Sequence, residues 1–146
     1  MNTVFQWLTQ GNVEMPLLDF GLVEQWIGEV ASRHGFTARE LTYIFCDDET
    51  IIGVNRRFLQ HDYYTDIITF DYTRSKLLRG DMYISLDTVK TNAELVSQSY
   101  ERELLRVIIH GVLHLCGIND KGPGEREIME ANEDEALLLY NELCNV

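Results

Sequence analysis

Val107-Ile108-Ile109-His110-Gly111-Val112-Leu113-His114-Leu115-Cys116-Gly117 decides the fold. Nearly every residue in it is apolar except two histidines and Gly111. A helix that is apolar all round is a central, buried one. Upstream, Ser99 is a candidate N-cap, and Glu101 and Glu103 occupy the first turn, where the helix dipole favours acids. Gly117 ends the helix, Gly122-Pro123-Gly124 makes a turn, and a last acidic helix is predicted to about Leu143.

Working back toward the N-terminus, Leu22, Val23, Trp26, Ile27, Val30 and Ala31 recur at helical spacing, and His34-Gly35 closes that helix. Leu41, Tyr43 and Phe45 alternate with Thr42, Ile44 and Cys46, which predicts a strand. Asp47 or Asp48 then caps a helix carrying Ile51, Val54 and Phe58. Residues 67–72 and 81–86 read as two more strands, joined by a polar, basic connection over 74–80, and residues 4–8 as a fourth. The pattern predicts an α+β fold: a small mixed β-sheet of about four strands packed with helices around the central apolar helix. No repeat, low-complexity tract or linker divides the chain, so residues 1–146 are expected to form a single domain.

Composition narrows the functional classes. A chain of 146 residues, 45 % hydrophobic and 25 % charged, has the balance of a globular protein with a core. No stretch approaches the roughly 18–20 apolar residues of a membrane span. Residues 1–10 carry no basic residue ahead of their apolar part, unlike a signal peptide, so the expected address is cytoplasmic. Cys46, Cys116 and Cys144 are odd in number and share no spacing, as expected of buried thiols in a reducing compartment. The net charge of −12 argues against loose binding to nucleic acid, which depends on neutralising phosphates. A local basic patch remains open, because Arg56, Arg57, Arg74, Lys76 and Arg79 gather in one central stretch.

His110 and His114 are four residues apart, so both imidazoles leave the same helix face about one turn apart. That spacing lets two ring nitrogens meet one zinc ion at about 2.0–2.1 Å. The alternative is a pair of core histidines, each hydrogen-bonded to backbone. A catalytic zinc takes three protein ligands and leaves one position for water. Asp120 follows His114 by six residues, beyond the reversal that Gly117 permits, and is the candidate third ligand; its competing reading is a turn acid in Ile118-Asn119-Asp120-Lys121-Gly122.

The run from His110 to Gly117 resembles the signature of the YbeY family of metal-dependent endoribonucleases, the rRNA maturation factors. Asn55-Arg56 followed by Thr65-Asp66-Ile67-Ile68-Thr69-Phe70 is similar to that family's second block, and Gly80-Asp81-Met82-Tyr83-Ile84-Ser85 to its third. The blocks come in the family's order and spacing across most of residues 54–121. The resemblance implies RNA phosphodiester hydrolysis with a zinc-bound water, a part in 16S rRNA 3′-end processing and ribosome quality control, and rRNA or the small ribosomal subunit as partner. In two places the chain departs from the pattern: Asp120 stands where the family usually has a third histidine, and Leu59 where it usually has an arginine thought to contact RNA. Arg56 and Arg57 are near enough in sequence to take over the arginine's part.

For phosphodiester hydrolysis a metal polarises a phosphoryl oxygen, generates hydroxide from its water, or both, and a guanidinium clamps the phosphate. Arg56 is the first choice for that clamp, and Asp66 the candidate for orienting a ligand or a water. Two other functions compete. A zinc-dependent peptidase shares the histidine spacing but needs a glutamate directly after the first histidine, where this chain has Gly111. A non-catalytic ribosome-assembly factor with a structural metal needs a fourth ligand, for which Cys116 is the nearby candidate.

Overall fold

A computed structural model describes residues 3–60 and 65–145. Met1 and Asn2, at the head of the stretch read above for a signal peptide, lie outside them. The elements run β1 (Val4–Gln10), α1 (Phe20–Arg33), β2 (Thr37–Cys46), α2 (Asp48–Val54), β3 (Ile67–Asp71), β4 (Leu77–Ser85), α3 (Leu86–Leu95), α4 (Tyr100–Leu115) and α5 (Glu125–Cys144). This is the expected α+β architecture with a four-stranded sheet, ordered β1-β2-β4-β3. β1 and β4 both run parallel to β2, and β3 is antiparallel to β4.

Period-2 alternation sorts the strand residues onto the two faces. On one face Leu41, Tyr43, Phe45, Leu78, Met82 and Ile84 join the main core, covered by α1, α3, α4 and α5. Cys46 and Ile68 point the other way and form a smaller cluster with Ile51 and Val54 of α2. α2 begins at Asp47, whose carboxylate accepts from the Thr50 backbone N–H, and runs on into a π-helical turn, Asn55–Leu59. Asp48 lies inside the helix and ties it to the next layer, accepting from Ser85 Oγ at 2.6 Å and Thr88 Oγ1 at 2.5 Å.

Three features depart from the sequence expectations. β4 starts at Leu77 rather than 81, because Leu78 and Gly80 continue the inward alternation of Met82 and Ile84. The connection from β3 is therefore a short hairpin closed by an Arg74–Leu77 bridge, and β3 ends at Asp71. α3 was not anticipated: Val89 and Ala93 are its buried residues, so its apolar signal is faint. Phe58, expected on the packed side of its helix, is largely exposed in the π-helical turn.

α4 is the axle of the main core. From Leu104 to Leu115 every residue is buried except Arg106, His110 and His114, which lie at intervals of four along a single stripe. Each large aliphatic side chain so buried contributes about 1.5–3 kcal/mol. The Tyr43 hydroxyl of β2 donates to the Ile108 carbonyl at 2.9 Å, pinning the helix along its length. Burial drives the pKa of that phenol well above its ordinary value, so it acts only as a neutral donor. Replacing Tyr43 by Phe is expected to lower unfolding free energy by about 1 kcal/mol, read as a lower denaturant midpoint at unchanged m-value.

Candidate metal centre and its cleft

Asp120 is delivered to the histidine stripe by the way α4 ends. Gly117 takes a left-handed φ of +91°, its N–H bonds to the His114 carbonyl, and the Ile118 N–H reaches back to Leu113. These are the two bonds of a Schellman cap. Ile118 packs onto the main core, and the reversed chain places Asp120 Oδ2 3.3 Å from His110 Nε2. Two ligands bonded to one tetrahedral ion at ~2.0–2.1 Å stand about 3.3–3.4 Å apart, so this separation fits a shared metal.

The other ring nitrogen of His110 is held from α5. Its Nδ1 lies 2.7 Å from Oε2 of Glu133, a carboxylate whose side chain is only 7 % exposed. Glu133 Oε1 in turn accepts from Arg106 at 2.8 Å, and Asp134 takes the other arm of that guanidinium at 2.6 Å. His114 sits one turn further along α4, and its Nδ1 is buried without a hydrogen-bond partner. The predicted ligands are thus only partly assembled: His110 and Asp120 converge, His114 keeps an unpartnered Nδ1, and among the described residues no three His, Cys, Asp or Glu side chains gather as a metal group. The donor set nevertheless fits a divalent ion, since two imidazoles and one carboxylate are the ordinary ligands of catalytic zinc.

A cleft of about 660 Å³ opens beside this stripe. Asp66 lines it together with His110, Asp120, Glu103 and Glu133. Burial raises the Asp66 carboxyl pKa above its ordinary range, opposed by His110 and reinforced by Glu133. Glu103 is raised by burial as well, with Arg106 opposing and Asp66 and Glu133 adding. Burial by itself would lower the His110 pKa, but the hydrogen bond and charge of Glu133, with Asp120 and Asp66, outweigh it and hold the imidazole pKa above 6.5. Arg56 is placed elsewhere: it lies in the exposed π-helical turn and is not among the described residues that line the cleft. Cys116 caps α4 and packs on the core, its thiol pushed up to about 11 by burial, with the charge of Asp71 adding.

Glu133 and Arg106 were not singled out from sequence. A signal existed: Met129, Glu133, Leu137 and Tyr140 share the buried face of α5, so one acid interrupts an apolar stripe.

The family model described as Endoribonuclease YbeY matches residues 17–141. The chain belongs to the YbeY family. An Endoribonuclease YbeY from Phocaeicola vulgatus is 60 % identical over 133 residues, covering 91 % of this chain and 96 % of that protein. Its counterpart from Parabacteroides distasonis is 57 % identical over 133 residues, with 91 % and 94 % covered. The solution structure of TM1509 from Thermotoga maritima shares the fold, with a TM-score of 0.64 at 23 % identity over 95 % of this chain and 93 % of that one. Among the described residues of this YbeY chain no helix is long and apolar enough to cross a membrane.

The geometry also explains Gly111, the position where zinc peptidases carry their glutamate. A Cβ there would meet Ile67 Cδ1 at 3.0 Å and Met82 Cγ at 3.2 Å, so the position faces the sheet rather than the cleft. Gly111→Glu is expected to bury an unpaired carboxylate, cost on the order of 3–5 kcal/mol and confer no peptidase activity, checked by denaturation and peptide hydrolysis. A second outcome concerns pH. With its pKa raised in the folded state, metal-free His110 contributes stability that is fully present below its ordinary 6.5 and is lost as pH rises through the folded value. Chelator-treated protein should therefore lose stability as pH is raised above 6.5, and His110→Asn should flatten that slope.

Proposed function

We propose that the protein is a metal-dependent endoribonuclease of rRNA maturation, with one divalent ion, zinc by preference, held by His110, His114 and Asp120. The convergence of His110 and Asp120 at 3.3 Å carries this reading, in a chain whose relatives are named endoribonucleases. Electrostatics supports it. The cleft is lined by Asp66, Glu103, Asp120, Glu130, Glu133 and Asp134, while Arg106 is committed to Glu133 and Asp134 and Arg126 to Glu130. So acidic a cleft repels a phosphodiester unless a cation is added.

A bound divalent ion supplies Lewis acidity toward a phosphoryl oxygen and makes a water more acidic. The chain's own residues do the rest. Asp66, half-buried with its carboxyl raised by burial, is a suitable acceptor for the proton of the attacking water. Arg56 engages a substrate phosphate from outside the cleft, at the exposed turn preceding the segment that leads to Asp66. Arg74, Lys76 and Arg79 belong to the far end of β3 and β4. β3 alone, five residues long, separates them from Asp66 by about 16 Å, so RNA contacting both regions must span several nucleotides. Single-stranded or ribosome-associated RNA is the substrate class, with precursor 16S rRNA and the small ribosomal subunit as the expected partners, and the cytoplasm as the compartment.

The peptidase alternative loses support at Gly111, and the structural-metal alternative at Cys116, whose side chain packs against the core. Purified protein is expected to carry about one zinc per chain by elemental analysis and to cleave ribosomal precursor RNA. His110→Ala with His114→Ala should remove both metal and cleavage, whereas Asp66→Asn should lower kcat by about 10²–10⁴ with metal retained. Cleavage of peptides but not RNA by the pure protein would overturn this function.

A further inference from the structure

Glu133 is a buried acid, and both of its carboxylate oxygens are spoken for. Oε1 accepts from Arg106 Nη1 at 2.8 Å, and Oε2 meets His110 Nδ1 at 2.7 Å. Arg106 donates to one oxygen of this ion pair, and a carboxylate paired with a guanidinium accepts at its other oxygen as well. The proton of the 2.7 Å contact must therefore sit on His110 Nδ1. That leaves Nε2 of the neutral ring bearing its lone pair, and this is the atom 3.3 Å from Asp120 Oδ2.

From this arrangement we infer that Glu133 is a positioning residue: it selects the His110 tautomer that can ligate a metal through Nε2, and Arg106 holds Glu133 in the state and orientation that make the selection. The inference rests on the metal reading above and deepens it. Arg106 and His110 are one turn apart on α4, whereas Glu133 is on α5, so the device works only while the two helices are docked. Its logic shows in what Glu133→Gln would do. Arg106 demands an acceptor, so the oxygen of the new side-chain amide would turn toward it. The amide NH₂ would then face His110 Nδ1 as a donor, forcing the ring proton onto Nε2 and blocking the ligand atom. A neutral, nearly isosteric change should thus invert the tautomer rather than merely weaken a bond.

The test measures zinc affinity by competition with a chromophoric chelator, on wild type, Glu133→Gln, Glu133→Asp and His110→Ala, with far-UV circular dichroism to check folding. Glu133→Gln is expected to bind zinc roughly 10- to 100-fold more weakly, and Glu133→Asp, which keeps the charge, to recover part of the loss. Long-range ¹H–¹⁵N spectra of metal-free wild type, at a pH where the ring is neutral, should show the His110 proton on Nδ1; in Glu133→Gln it should move to Nε2. The spectrum of the wild type stands even if a variant fails to fold. Wild-type zinc affinity in Glu133→Gln, alongside its loss in His110→Ala, would overturn the positioning role and leave the metal site intact. An Nε2–H tautomer in the wild type would overturn it equally. Unchanged affinity in His110→Ala would reject the metal site, and the role of Glu133 with it.

Discussion

The contact between α4 and the sheet at Gly111 constrains everything else. A residue without a side chain there lets the helix axis approach until Ile67 and Met82 touch its backbone, while Tyr43 fixes it from β2. With that face and both flanks in apolar contact, one stripe is left for polar chemistry, and Glu103, Arg106, His110 and His114 fall on it at intervals of three and four. The His110 imidazole lines the cleft, with His114 one turn along the same stripe, because the opposite side of the helix has no room for anything else. The residue type that enables the close approach is also the one that denies this scaffold the glutamate of a zinc peptidase.

Along that stripe, like charges are crowded against burial. Asp66 and Glu103 are both held above ordinary carboxyl behaviour by burial, and each feels Glu133. A cluster of this kind opposes folding through desolvation and self-repulsion. Arg106 relieves part of it by bridging Glu133 and Asp134, and these acids in turn raise the pKa of the His110 imidazole against the effect of its burial. On the proposed metal reading, proton and divalent cation would compete for His110 Nε2.

Much of this was legible in the chain itself, for reasons that differ residue by residue. The histidine pair was readable because helical periodicity is rigid, and Asp120 because Gly117 can only mean a reversal after so apolar a helix. β4 was read short because Arg79 and Gly80 hide the inward alternation that Leu78 begins. α3 buries little more than Val89 and Ala93, too few side chains to announce a helix. Glu133 was lost in a row of acids that reads as a solvated face; only its spacing from Met129 and Leu137 gives it away. Arg56 stood near Asp66 in sequence, but the π-helical turn carries it outside the cleft, a displacement that no local pattern encodes.

On the far side of the domain, Trp26 of α1 donates its indole N–H to the Ala136 carbonyl of α5 at 2.7 Å and sets its ring edge-on against Tyr140. Ala136 is three residues beyond Glu133, so this bond acts as an axial stop for α5. One residue of a helix advances about 1.5 Å. A slip of that size would lengthen and misalign the 2.7 Å contact of Glu133 with His110. A tryptophan that does not line the cleft therefore bears on it, because one helix carries both its acceptor and the acid that holds His110.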